Sequence, residues 1–541
     1  MKTMMKMTVA AGLAAVLSGG VFADEVPTVM NVVNFVRGCE PRYPDIDLVE
    51  PLREEIRLNT AHRLPNTILL QYDAMLREDI MAAANSAEPE RTEYGVWLEW
   101  CRQLIEKCGM KWRGRPGWDW EWFVNPGLPM GYAPAEREKL CDEVFRLFRE
   151  RFGAYPKSVG GWLLDAHTMA YLTEKYGVDA FCICREQDAT DAYGLRGGYA
   201  NGAYYPSRKN ALSAAVDMKN AIPTPVFRML TPDPIYNYGP GWNERGQIKS
   251  EFPEACTLEP GCDPGQRPFI VDWFFRVYTG PARLGFSYMQ TGQENCFGWA
   301  GISKGLPYQV GKIAELREKG RLEVLTLGET GRRFKAKFPA NVPQTLVALE
   351  DWSGKGYKCV CYSSKRYRMN LFFDGRNLYF RDIHKFCDDH CEAYLTAATK
   401  KWYASYVTPP VVDGYLLSKD GEDGTAGFGG TFTDLDATAD GDRTLRVTAT
   451  RADGTKLVLD FREDAIEIDF GLTSEAAFRT AALKFRGGGA FVENLDFPPG
   501  RIAMAFEGVR YEVGYSGDLK PSPKGWTLHP IRGKARLDFG L

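Results

Sequence analysis

The sequence predicts an α/β protein: a (β/α)7-8 barrel followed by a C-terminal antiparallel β-sandwich. Three observations carry this expectation. From about residue 31 to 330, short apolar runs alternate with helical patterns, the rhythm of a parallel sheet with crossover helices, and seven or eight repeats fit closure into a ring better than an open sheet. After residue 411 the chain switches to apolar/polar alternation, the signature of half-buried strands. Finally, a length of 541 residues exceeds what one hydrophobic core usually holds, about 250 to 300 residues.

The elements follow in order. Residues 1–23 carry Lys2 and Lys6, the apolar stretch TVAAGLAAVL, and small residues Val21 and Ala23 before Asp24. That is the pattern of an export signal. It predicts a mature chain from near Asp24 and a periplasmic or extracellular location. The stretch is too short to span a bilayer, and no later run approaches the roughly 20 apolar residues a membrane helix needs. The barrel domain is expected over residues 24–330. NVVNFV (31 to 36) reads as its first strand, LVEPLREEIRLNTAH (48 to 62) as a helix, and NTILLQY (66 to 72) as the second strand. The segments 93 to 109 and 135 to 153 read as helices, the latter stopped by Gly153. Runs at 158 to 164, 180 to 184, 225 to 230, 285 to 290 and 322 to 327 complete the strands, with helices at 169 to 177 and 307 to 320. Residues 331–410 are mixed and read as a connecting region packed on the barrel. In the predicted sandwich, 411–541, the segment 443 to 470 alternates around Asp453-Gly454, a hairpin signal.

Composition narrows the partners. A formal net charge of -3 argues against a nucleic-acid binder, which needs a basic surface to displace counterions. Aromatic residues make up 13 %, an excess that suits both sugar faces and core packing. The 13 cysteines are an odd number. Cys256 and Cys262 could close a loop, whereas Cys182 and Cys184 read as packing thiols. HKFCDDHC (384 to 391) matches no standard zinc spacing, and DLDATADGD (434 to 442) has calcium-like acid spacing but lacks the Gly and terminal Glu of a hand loop and reads as a polar hairpin turn. No metal or other cofactor is expected.

Parallel barrels place their chemistry at the C-terminal ends of the strands, so the strand list becomes a site list. Arg37 and Glu40 follow the first strand, Gln71 and Asp73 the second, and WRGRPGWDWEW, with Trp118, Trp120 and Trp122, a poorly defined third. Asp165 and His167 follow the fourth, Arg185, Glu186 and Asp188 the fifth, Arg228 the sixth, and Gln290 and Glu294 the seventh. On an extended strand end, residues two apart share a face. Asp165 could therefore orient His167 as an acid or base, with Glu40 as the second proton-handling group that glycoside hydrolysis requires. The competing reading makes Asp165 the cap of the following helix and His167 part of its first turn. Arg37, Arg185 and Arg228 suit a bidentate carboxylate, or else tie loops to backbone carbonyls. Trp120 is a candidate sugar platform. Asp73, Glu186 and Glu294 complete the substrate-binding set.

Three segments resemble the glycoside hydrolase/deacetylase superfamily of irregular (β/α) barrels. HRLPNTILLQYDAM (62 to 75) resembles the second-strand element of polysaccharide deacetylases. VGGWLLDAHTMAYLTEKYGVDAF (159 to 181) is similar to the Gly-Trp-x-x-Asp/Glu element of glycoside hydrolase families 57 and 38, and KIAELREKGRLEVLTLGE (312 to 329) to their late helix and strand. The metal-dependent deacetylases use an acidic pair after the first strand and His-x-x-x-His after the third. Here those places hold RGCEPR and WRGRPGWDWEW, without a histidine, and the first-strand His motif of families 57 and 38 is missing too. In outline the Asp-x-His element is similar to family 156 sialidases, in which a histidine takes part and arginines hold the substrate carboxylate. The resemblance implies a glycoside hydrolase acting on a terminal sugar of a glycan, with an acidic sugar compatible; the N-terminal pattern adds export, and the missing ligands make it metal-independent. The alternatives are a deacetylase-like carbohydrate esterase and a non-catalytic glycan-binding barrel.

Overall fold

The computed structural model describes residues 27–187, 192–200, 202–236, 239–242, 248–249, 257–280, 284–474, 477, 481–489 and 494–541. The expected export signal, Asp188 and the proposed partner of Cys262, Cys256, lie outside the described residues; Cys182 and Cys184 are free thiols. No helix among the described residues is long and apolar enough to cross a membrane.

Eight parallel strands form the first layer: β1 (Thr28–Val36), β2 (Asn66–Leu70), β3 (Thr92–Trp97), β4 (Ser158–Gly160), β5 (Ala180–Ile183), β6 (Val226–Arg228), β7 (Tyr288–Thr291) and β8 (Leu322–Leu325). Their order is β7-β1-β2-β3-β4-β5-β6, with β8 beside the first half of β1 and the short antiparallel strand Ala203–Tyr204 on the far edge of β6. β1 and β2 are buried on both faces, which is why they read as continuous apolar runs. The sheet curls toward a barrel, but β6 and β7 share no ladder among the described residues. Across that gap the contacts are between side chains: Phe227 and Tyr288 rings lie 5.1 Å apart, and Gln290 reaches the Cys182 thiol at 3.4 Å. The described residues thus form a curled half-barrel, and of the expected ring of seven or eight strands they show the parallel, curled sheet without the closing ladder. Residues 193 to 214 form short strands of two to five residues, and β6 itself has only three residues with which to pair.

A second correction concerns residues 93 to 109, read as one helix. The chain there forms β3 and then the helix Arg102–Lys107. Gly95 explains the override: a Cβ at this position would lie 2.4 Å from the Ser158 carbonyl oxygen of β4. The segment is held as an extended strand between β2 and β4, and tertiary pairing outweighs helical periodicity.

Apart from three two-stranded pairs, the remaining strands form two antiparallel sheets. The inner one has nine strands and begins with Gln344–Ala348, Lys358–Ser363, Tyr367–Phe373 and Leu378–Lys385. The region read as a connection therefore supplies sheet strands. Tyr367–Phe373 is buried at every position because both of its faces are covered. Cys359, Cys361 and Phe372 pack into the barrel's core, whereas Val360, Tyr362, Leu371 and Phe373 pack against the outer sheet. A strand in a middle layer shows no alternation. The outer, seven-stranded sheet contains the hairpin Thr444–Arg451/Lys456–Phe461 across the Asp453-Gly454 turn, as the sequence predicts.

Candidate active site

β1 leads directly into the most concentrated group of charges at the strand C-termini. Arg37 is the first residue beyond it and is 2 % exposed. Gly38 permits the sharp exit, since a Cβ there would lie 2.5 Å from the Asp73 backbone in the turn after β2. The Arg37 guanidinium donates from Nε and Nη2 to Glu99 at 3.1 to 3.3 Å. Its Nη1 lies 2.5 Å from Glu294 Oε2 and 3.9 Å from Glu40 Oε2, and it donates to the Cys296 thiol at 3.0 Å. One face stacks on Trp120 with 4.0 Å between Cζ and the ring centroid. Asn295 fixes the turn, accepting from the Arg37 backbone N–H and donating to the Arg37 and Leu48 carbonyls.

Three carboxylates thus surround one buried cation. The second cation is Arg42, whose guanidinium pairs with both Glu40 oxygens and whose side chain, one-third exposed, forms the solvent side of the group. Two arginines against three acids leave one carboxyl without full compensation, and the environments separate the acids. Burial, only partly offset by Arg37, raises the pKa of Glu294 above the ordinary carboxylate range. Burial also acts on Glu40, but the hydrogen bonds of Arg42 and the charge of Arg37 outweigh it and hold that carboxyl below its usual value. Asp73, buried behind the β1 exit, is raised by burial. Two carboxyls on one guanidinium thus have pKa values pushed in opposite directions, a separation that acid/base chemistry can use.

The expectation that Asp165 orients His167 is not met. β4 ends at Gly160, so Asp165 is no strand end but the N-cap of the helix Ala166–Tyr176, where residues two apart diverge around the axis. Asp165 is fully buried and accepts from the Thr168 N–H and hydroxyl and from Arg137 Nη1 at 2.8 Å. His167 turns toward the neighbouring helix Pro134–Phe152, with Nε2 2.9 Å from Glu138 Oε1. Neither orients the other. His167→Ala is expected to leave turnover unchanged and to cost at most about 1 kcal/mol, the worth of a half-exposed pair; denaturant unfolding and an activity assay check both.

Arg185, Glu186 and Arg228 are drawn away from Arg37. Arg185 donates to the Glu186 carbonyl, and Arg228 to the carbonyls of Cys184 and Tyr199, so the loop-tying reading of these two arginines describes their visible bonds. Glu186 belongs to a buried network with the inner sheet. It pairs with Arg368 at 2.5 Å, Arg368 with Asp382 at 2.6 Å, Arg196 with Asp413 at 2.9 Å, and His384 Nε2 with Asp413 at 2.8 Å. The network joins the β5 loop to the strands carrying Arg368, Asp382 and His384. Trp120 is 1 % exposed and its ring faces Arg37 and Arg42, so it is the floor of the site and not an open platform. Sequence reasoning missed Glu99 and Cys296, whereas the pairing of Glu40 with Arg42 is the competing, ion-pair reading of that acid. Glu99 carried a signal, a lone acid directly after the apolar run of β3, but the helical reading of 93 to 109 hid it. Among the described residues no three His, Cys, Asp or Glu side chains form a metal-holding group.

No protein-family model matches the sequence, and no curated protein matches it significantly. Among solved structures the chain is similar to one from Parabacteroides distasonis assigned to the glycoside hydrolase/deacetylase class, with TM-score 0.51 and 15 % identity over 71 % of this chain and 90 % of that one. It is also similar to a Mycobacterium smegmatis chain assigned as a polysaccharide deacetylase (TM-score 0.33, 11 % identity, covering 61 % of this chain and 96 % of that one). A third is a family 57-type branching enzyme from Pyrococcus horikoshii (TM-score 0.31, 10 % identity, 57 % and 70 % covered). The likeness to the Parabacteroides structure is one of fold.

Proposed function

We propose that the chain is an exported glycoside hydrolase that cleaves a terminal sugar from a glycan by acid/base catalysis at the Arg37 centre. The observation that carries the reading is the placement of Glu40 and Glu294 on one buried guanidinium nitrogen with pKa values displaced in opposite directions. Glu294, whose pKa burial raises, gives its proton to the leaving glycosidic oxygen. Glu40, kept ionised by Arg42 and Arg37, takes a proton from the attacking water or attacks the anomeric carbon itself. Arg37 holds both carboxyls in place, and Arg42 on the solvent side is available to an acidic group on the departing sugar.

A panel of glycans that includes sialylated and uronic-acid substrates, read by mass spectrometry, tests the proposal. A new reducing end, lost in both Glu40→Gln and Glu294→Gln, is the expected result. Release of acetate without a new reducing end would convert the reading to an esterase, and no product from any member would end it.

A further inference from the structure

Beside the Arg37 centre, on the outer side of its tryptophan floor, lies a cleft of about 450 Å³. Its walls come from two distant segments, Arg113 to Pro126 and Lys400 to Tyr403. The second is tied to the first by the Val124 N–H donating to the Trp402 carbonyl at 2.9 Å and the Thr399 N–H to Met130 at 2.8 Å. Arg137, itself paired with Asp165, holds the approach through the Tyr394 and Ala397 carbonyls. The cleft is therefore a built feature of the fold and not a loop at rest on the surface.

Its chemistry is one-sided. Arg113, Arg115, Lys400 and Lys401 face a single acid, Glu121, which is already taken by a bidentate pair with Arg115 at 2.6 and 2.7 Å. Arg113 donates to the Gly131 carbonyl and lies over Tyr132; among the described residues neither it nor Lys400 nor Lys401 is paired with a carboxylate. Such a concentration of uncompensated cations stands out in a chain with a net charge of -3. Among the cations stands Trp402, 56 % exposed, with its ring edge against Phe123 at 5.8 Å. An indole open to solvent between lysines offers an apolar face to a sugar ring and cations to its acidic groups.

We infer that this cleft is a binding subsite for a polyanionic glycan chain, with Trp402 stacking on a ring and Arg113, Lys400 and Lys401 meeting carboxylate or sulfate groups. Continuity with the acid pair gives it direction. Trp122 packs on Phe123 and lies under both Arg115 and Arg42, so one layer of indoles separates the cleft from Glu40. That the bound chain leads to a site of hydrolysis rests on the function proposed above; the binding itself does not.

The experiment is affinity electrophoresis of the full chain carrying Glu294→Gln, so that retardation is read without turnover. The gels contain polygalacturonate, heparan sulfate or neutral dextran, and a single-stranded oligonucleotide is run as a fourth probe. Retardation by one or both polyanions, weakened by high salt, is expected, with polygalacturonate alone indicating carboxylates and heparan sulfate alone sulfates. Lys400→Ala/Lys401→Ala and Trp402→Ala are each expected to weaken it about tenfold. No retardation by either polyanion, undiminished retardation in both variants, or equal binding of the oligonucleotide through the same residues would overturn the subsite. Polyanion binding that is lost in the cleft variants of a chain that hydrolyses nothing would leave the subsite standing and remove the hydrolase. Hydrolysis without polyanion binding would do the reverse.

Discussion

Glu294→Gln is expected to lower turnover by about 10²- to 10⁴-fold, the range for losing a positioned general acid, with thermal unfolding close to wild type. The asymmetry between activity and stability follows from the site. The raised carboxyl is replaced by an amide of the same shape, so the packing around Arg37 stays nearly as it was. The amide cannot release a proton. The pH profile gives a second readout. Activity should rise as pH climbs through the depressed pKa of Glu40, because the base must be ionised. It should fall as pH climbs through the raised pKa of Glu294, because the acid must hold its proton. Residual turnover of the variant should keep the acidic limb and lose the alkaline one. A variant with near wild-type turnover, or with the alkaline limb intact, would reassign the acid.

Arg37→Met is the substitution expected to cost most in stability, about 3 to 5 kcal/mol, since it strips the cation from a buried charge group and leaves the acids in place. Glu99 and Glu294 would then face each other's field with only Arg42 nearby, and the stacking on Trp120 would be replaced by a thioether. The sign of the pH dependence is fixed by Glu40. Its folded pKa lies below the ordinary value, so its contribution is present above the unfolded carboxylate pKa of about 4.3 and is lost as pH falls through the folded one. The deficit of the variant should accordingly be large at neutral pH and shrink in acid. Denaturant unfolding at both pH values checks it. A cost under about 1 kcal/mol, or one that does not change with pH, would mean that the three acids are stabilised by something other than Arg37.

The strand-end rule located Arg37, Glu40, Asp73 and Glu294 because each lies just past an apolar run whose direction is fixed by parallel pairing. The same rule failed for Asp165, where five residues separate the end of β4 from the helix. In that interval the chain turns, and the period of two on which the pairing with His167 depended no longer applies. Glu99 was lost for the opposite reason: a true strand carried a helical pattern of apolar residues, and only pairing on both sides made it extended. The strand Tyr367–Phe373 shows the third kind of limit. Buried from both sides by the barrel and the outer sheet, it has no polar face by which a sequence could announce its place.

Periodicity, turn residues and charge are local quantities, and by themselves they determined the parallel half, the antiparallel half, the hairpin at Asp453-Gly454 and a set of polar residues at the strand exits. Which of those residues meet is a matter of distances between chain segments hundreds of positions apart. Arg37 with Glu294, Glu186 with Arg368, and Val124 with Trp402 are contacts of that kind, and only the packed structure decided them. The physical reason is that a charge chooses its partner by proximity in a low-dielectric interior, and proximity is set by how the layers stack.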